Sequence, residues 1–366
     1  MNTTEKFEYD IEFFNREKEK QEILNVLRAK PQLINFIYGP INSGKTTLIT
    51  SLIEELPETY VVFYVNLRRK SITKYEDFIR VLFSVEKNKD IKDIIKGLIA
   101  KVEKAIYTSQ GIPINDSLLD GFLKKDSRED PLEFLENYFK EISKTKIPIL
   151  IIDELQMIGD LEINGKLIQR LFNFFIGLTK ELHICHVFAL SSDSLFIEKV
   201  YAEAILKDRC RYLLIDNFDE ETTKKFLKKH NFSGKEQENI CKDIGGKPAH
   251  LIRIIDVQNR GGDVITEIGA MSENRKKEIK DTLRKLRRFG SEVVFDNIHY
   301  KIDYNDVLST LKMFNERDKI SAGEIDEVIK MYLVKNNILF AECANETIKP
   351  QSKLDLLAIR EILKEI

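Results

Sequence analysis

The stretch that most limits what this chain can fold into is GPINSGKTT, Gly39 to Thr47, which fits G-x-x-x-x-G-K-[ST]. It follows directly on LINFIY (33 to 38), a run that reads as a strand buried on both faces, and it leads into TTLITSLIEEL, which has helical period. Strand, glycine loop and helix is the context in which this motif has a mechanism. Gly39 and Gly44 let the backbone wrap a phosphate with its N–H groups inward, with Pro40, Asn42 and Ser43 between them, and the helix N-terminus adds partial positive charge. Lys45 is placed to reach the β- and γ-phosphates, Thr46 offers a hydroxyl to Mg²⁺, and Thr47 completes the candidate phosphate-binding loop.

Four further runs read as buried strands: YVVFYV (60 to 65), IPILII (147 to 152), CHVFAL (185 to 190) and YLLI (212 to 215). Segments of helical period lie between them, such as LEFLENYFKEI and LIQRLFNFFIGLTKEL. Alternating strand and helix predicts an α/β fold, a parallel five-stranded sheet sandwiched by helices. Between about 70 and 135 the pieces YEDFIRVLFSV and IKDIIKGLIAKVEKAI predict a helical insertion, followed by TSQGIPINDS as an exposed loop. The expected division is therefore 1–216 for the sheet domain, 217–270 for a small helical lid, and 271–366 for a third unit. That third unit opens with the charged helix SENRKKEIKDTLRKLRR. It continues through YNDVLSTLKMFNE and SAGEIDEVIKMYLVKNN to ILFAE and the return strand ETIKPQ, with Ser321 and Glu324 as a capping box. Helix, turn, helix and hairpin form a winged-helix pattern.

Charged residues make up 32% of the 366, but 58 basic against 60 acidic leave no whole-molecule field to gather nucleic acid or anionic membrane. The four cysteines are far apart and read as reduced thiols. The start MNTTEKFEYDIEFF lacks the order of a signal peptide, and no run of eighteen apolar residues occurs, so a cytoplasmic protein without membrane attachment is expected.

The run ILIIDELQ places Asp153 and Glu154 together at a strand end, where two carboxylates repel unless something separates them. In the sheet that carries the loop, Asp153 is positioned to hold Mg²⁺ through water, and Glu154 to orient an attacking water and accept its proton. At the end of the fourth strand, ALSSDS offers Ser192, with Ser191 as the alternative, as a sensor of nucleotide state. The plain alternative is that these serines simply end the strand.

In their order these pieces resemble the archaeal ATPases of the AAA+/STAND group of P-loop NTPases (the ASCE branch). FFNREKE matches the family's F-x-x-R-E with Arg16 and Glu17, DE-x-Q appears as Asp153, Glu154 and Gln156, and G-G-x-P as Gly245, Gly246 and Pro248. The resemblance implies ATP and ADP as ligands, Arg16 near the adenine, and a lid that closes at Pro248. It also implies a γ-phosphate-reading arginine before the fifth strand, where KDRCRY supplies Arg209 but has Asp208 in place of the family's glycine. Surface pairing of Arg209 with a carboxylate is the competing expectation. The lid has no arginine at the sensor position of hexameric motors; its nearest basic groups are Lys247 and Arg253. A nucleotide-controlled switch, or slow ATPase, is expected rather than a ring motor.

The winged helix is expected to engage a protein partner. Nucleic acid is the other candidate, since Arg275, Lys276, Lys277, Lys280, Arg284, Lys285, Arg287 and Arg288 could contact a phosphate backbone. Against it, the helix that would enter the groove carries Glu324, Asp326 and Glu327 at its start. The remaining alternatives are a replication-initiator-like DNA-binding ATPase and a non-hydrolysing ATP-dependent scaffold.

Overall fold

The five aliphatic runs are parallel strands of one sheet in a computed structural model that describes residues 14–100, 105–124, 130–159, 167–295 and 298–366. The strands of this part are β1 (Ile34–Tyr38), β2 (Tyr60–Asn66), β3 (Phe83–Val85), β4 (Ile106–Thr108), β5 (Ile112–Ile114), β6 (Ile147–Asp153), β7 (His186–Ser191) and β8 (Cys210–Leu214). Among the described residues the main sheet has six strands in the order β4-β2-β6-β7-β1-β8, each pair parallel. Every residue of β1 and β7 is buried, as a central strand covered on both faces requires. Helix Pro131–Ser143 starts with Asp130 as cap and proline in the first turn, and presses Tyr138 and Phe139 on Phe63 of β2. Helix Leu167–Ile176 brings Phe172 edge-on to Phe36 of β1.

The sixth strand, β4, falls in the region expected to be helical. The helical pattern forms helix Ile91–Ala100 among the described residues, and Ile106–Thr108 pairs with β2 at the sheet edge. A three-residue edge strand behind a helical run has too little period of its own to read from sequence. TSQGIPINDS is likewise not an exposed loop: Ile112 and Ile114 are fully buried in β5, which runs parallel to β3. Gly111 makes this possible with φ +103°, since a Cβ there would crowd the Leu82 carbonyl.

The described residues divide into two compact units. One comprises 16–38 and 45–214, with the sheet; the other comprises Phe14 and Asn15, 39–44, and 215–366. In the second, helices Glu220–Lys229, Gly234–Asp243 and Pro248–Asn259 close a core of Phe226, Leu227, Ile240, Leu251 and Ile255, to which Met271 and Leu354 also belong. The charged helix expected to start at Ser272 instead starts at Val264, capped by Asp263, and runs unbroken to Phe289, so a boundary at 270/271 lies inside it. A hairpin unseen in the sequence follows, β9 (Glu292–Phe295) with β10 (Ile298–Lys301). After helix Tyr304–Lys312, β11 (Ile320–Ser321), β12 (Leu339–Glu342) and β13 (Thr347–Pro350) form a small antiparallel sheet. The Ser321–Glu324 box closes a single short turn, while Asp326 caps the α-helix Glu327–Lys335. No helix among the described residues is long and apolar enough to cross a membrane.

Candidate nucleotide site at the C-terminal edge of the sheet

The carboxylates at the end of β6 part company within one residue. Asp153, 3% exposed, closes the strand, and its Oδ2 accepts from the Thr46 hydroxyl at 3.0 Å and from the Tyr64 phenol. Glu154 then takes a left-handed backbone, φ 61° and ψ 44°, which costs a residue with a Cβ about 1 to 2 kcal/mol and turns the chain into Leu155–Ile158. Its Oε2 accepts from Arg68 Nη2 at 2.8 Å, from the Gln156 amide and, at 3.4 Å, from the Ser192 hydroxyl. The two charges thus face different partners: Asp153 looks to the first turn of helix Lys45–Glu55, Glu154 to the ends of β2 and β7.

Gln156 and Ser191 fix this arrangement. The Ser191 hydroxyl donates to Gln156 Oε1 at 2.9 Å, so the Gln156 amide bridges Ser191 and Glu154. Ser191 also accepts from the Asp193 N–H, and Asp193 caps helix Ser194–Ala202 through the N–H groups of Leu195 and Phe196. Of the two serines, Ser192 is the one that reaches Glu154.

Tyr64, Asn66 and Arg68 are additions that sequence reading missed. Burial, and after it the Asp153 charge, drives the Tyr64 hydroxyl well above the usual phenol range, so it stays a donor to Asp153. Their positional signal is that they stand at the C-terminal end of a parallel strand, where α/β sheets build sites. What the sequence hides is that β2 neighbours β6, with Asn66 beside Asp153.

Lys45 is 7% exposed at the start of its helix, Thr46 and Thr47 follow, and upstream Asn42 (φ 61°) and Gly44 (φ +92°) give their loop left-handed turns. Gly39 has a packing reason as well, since a Cβ there would fall on the Ile215 carbonyl; Pro40 and Ser43 are buried beside it in sequence, and Ser43 N–H returns to the Pro40 carbonyl at 3.2 Å. Arg16 is 7% exposed and its guanidinium donates to Glu19 at 2.8 Å, at the start of helix Glu17–Arg28; Phe13, the first residue of its motif, lies outside the described residues. Pro248 is the first residue of its helix. Gly245 and Gly246 ahead of it are demanded by packing, because Cβ atoms there would meet Lys353 and the Phe218 carbonyl.

Arg209 is not brought to this edge. Ile34 N–H bonds the Arg209 carbonyl and Ile34 pairs with Cys210, so Arg209 stands at the N-terminal edge, about 17 Å along a five-residue strand from the other end. Its guanidinium donates to the Ile205 carbonyl at 3.1 Å, and among the described residues it meets no carboxylate.

The donors fit a hard divalent cation. Thr46 and Asp153 supply a hydroxyl and a carboxylate, the oxygen pair on which Mg²⁺ rests when phosphate and water complete its shell. Among the described residues no group of three or more His, Cys, Asp or Glu could hold a metal by itself.

Comparison with known proteins gives the family and the fold. Residues 13–254 match an ATPase domain found predominantly in Archaea, and residues 266–363 match the C-terminal domain of MJ1010-like uncharacterized ATP-binding proteins. The uncharacterized ATP-binding protein MJ1659 of Methanocaldococcus jannaschii is 48% identical over 368 residues, spanning 97% of this chain and 98% of its own. A Pyrococcus abyssi relative, the uncharacterized ATP-binding protein PYRAB09480, is 39% identical over 354 residues, spanning 96% of this chain and 98% of its own. The fold is that of the Walker-type ATPase paby2304 of Pyrococcus abyssi, with a TM-score of 0.63 at 17% identity, covering 95% of this chain and 96% of that one. The chain belongs to the archaeal ATPase family of P-loop ATP-binding proteins.

Proposed function

We propose that this ATP-binding protein hydrolyses ATP slowly and works as a nucleotide-controlled switch of the AAA+/STAND kind. Its C-terminal domain, read as a winged helix, would engage a protein partner in the cytoplasm. The observation that carries the reading is the separation of the two carboxylates: Asp153 sits on the Thr46 hydroxyl, and Glu154 is held apart by Arg68, Gln156 and Ser192. In this reading Lys45 holds the terminal phosphates and Thr46 with Asp153 holds Mg²⁺, which when bound neutralises phosphate charge. Glu154 orients the attacking water and takes its proton, and Ser192, within reach of that carboxylate, senses whether the terminal phosphate is present. Arg16 and Pro248 are assigned to the nucleotide's base and to lid closure on the family pattern alone. Arg209 has no part in the hydrolysis of its own chain's nucleotide, given its place at the other edge.

Duplex DNA is the weaker alternative as partner. Arg275 is tied to Asp355 and Glu278, Lys276 to Glu273 and Glu361, Lys280 to Glu365, and Arg284 to Asp281, so much of the basic helix is already neutralised.

Two substitutions test the proposal. Lys45→Ala should abolish ATP binding measured by calorimetry. Glu154→Gln should keep binding and lose turnover by on the order of a hundredfold or more. Turnover equal to the parent's would remove Glu154 from the mechanism, and no phosphate release above background from the parent would leave only a non-hydrolysing scaffold.

A further inference from the structure

The insertion between β2 and β6 holds a cleft that the nucleotide site does not use. It encloses about 410 Å³, within the range of roughly 300 to 1,000 Å³ that small-ligand sites occupy. Arg69, Lys70 and Arg80 stand around it with Asn66, Ser84 and Gln110, and among the described residues no acidic one lines it. Three cations facing one concavity without a counter-charge repel one another, which a bound anion would reverse.

The chain is nearly neutral, and some of its described arginines and lysines pair with carboxylates, as with Arg16, Lys20, Arg68, Lys140, Arg170, Arg253, Arg275 and Lys349. Among the described residues Arg69, Lys70 and Arg80 make no ion pair. Guanidinium forks match phosphate oxygens in a two-point contact, and a lysine adds a point charge. A concave site of this size suits a small molecule, whereas a polymer backbone would call for a stripe.

We propose that this cleft binds a small phosphate-bearing anion, and that its occupancy is read at the ATPase site through the turn at Asn66–Arg69. The link is short. Asn66 Oδ1 accepts the Arg68 N–H at 2.9 Å and caps the single turn Leu67–Arg69. Within that turn Arg69 lines the cleft while Arg68 holds Glu154 at 2.8 Å. Asn66 itself lines the cleft and stands two residues along the same strand from Tyr64, the donor to Asp153. An anion that draws Arg69 inward acts on the residue next to the one that holds the catalytic carboxylate. This second half rests on the ATPase reading above; the binding does not.

The experiment uses the full chain carrying Lys45→Ala, so that the phosphate loop is disabled, titrated with inorganic pyrophosphate by calorimetry at low salt. Saturable binding is expected, weakened about tenfold or more by Arg69→Ala/Arg80→Ala and largely kept by Arg69→Lys/Arg80→Lys. No saturable binding, or equal affinity in the alanine form, overturns the site. Tighter and equally arginine-dependent binding of a single-stranded oligonucleotide overturns the small-molecule assignment. For the link, ATP turnover with and without pyrophosphate is compared between the parent and Arg69→Ala/Arg80→Ala. Competition at the loop is common to both, so a response confined to the parent supports coupling and equal responses overturn it. Absence of turnover in the parent would sink the ATPase reading while the titration still decides the cleft.

Discussion

The end of β6 and the basic face of helix Val264–Phe289 both concentrate like charge in a few residues, and they resolve it in opposite ways. At Asp153 and Glu154 a left-handed residue sends two adjacent carboxylates to separate sets of donors, drawn from β2, β7 and the helix of Lys45. On the helix, the cations meet carboxylates of helix Lys353–Glu365: Arg275 with Asp355, Lys276 with Glu361, Lys280 with Glu365. One cluster keeps a polar, differentiated site; the other is consumed in holding two helices together. A charge run gains meaning only from the partners the fold supplies.

The comparison breaks most visibly at Asp153. Asp153→Asn keeps an oxygen for the Thr46 and Tyr64 hydroxyls but removes the charge, so the fold should persist while ATP turnover falls by on the order of a hundredfold or more. Turnover near the parent's, in a steady-state phosphate assay, would show that the two carboxylates do not divide their labour. Next in size is Asp355→Ala. Asp355 is 3% exposed, is bonded to Ser352, and receives two guanidinium nitrogens of Arg275 at 2.6 Å. Removing it leaves a mostly buried cation with only the exposed Glu278 and the Asn337 carbonyl, and a loss of about 3 kcal/mol in chemical denaturation is expected. A loss below about 1 kcal/mol would mean the pair behaves as a surface bridge. The smallest effect concerns Lys277 and Lys285, which make no ion pair among the described residues. Changing both to alanine should leave duplex affinity at its weak, salt-sensitive background in a fluorescence titration, and a steep drop would return the helix to a nucleic-acid role.

What could be read from the sequence follows how local each signal is. The loop Gly39–Thr47, the strand runs and the Asp-Glu pair carry their information within a dozen residues, and four of the five main strands start within one residue of the expected position. For β8 the strand starts two residues earlier, since its edge position leaves it partly exposed and weakly apolar. Tyr64 and Arg68 were out of reach because strand order, β2 beside β6, is a property of the whole sheet. The pairing of the basic helix was out of reach for a similar reason: several of its carboxylate partners arrive some eighty residues later in the chain. Gly245 and Gly246 read as part of the G-G-x-P match, yet each is also a point of contact with a distant segment, Lys353 for one and Phe218 for the other.

Helix Val264–Phe289 has one more consequence, a mechanical one. Its 26 residues make a rod about 39 Å long, with Met271 set in the core of the small helices and Phe289 leading into the β9–β10 hairpin. Glycine appears in it only at Gly269, and proline not at all, so it contains no built-in joint beyond that point. A tilt of about ten degrees at the Val264 end therefore sweeps Phe289 through about 7 Å, the reach of a lever.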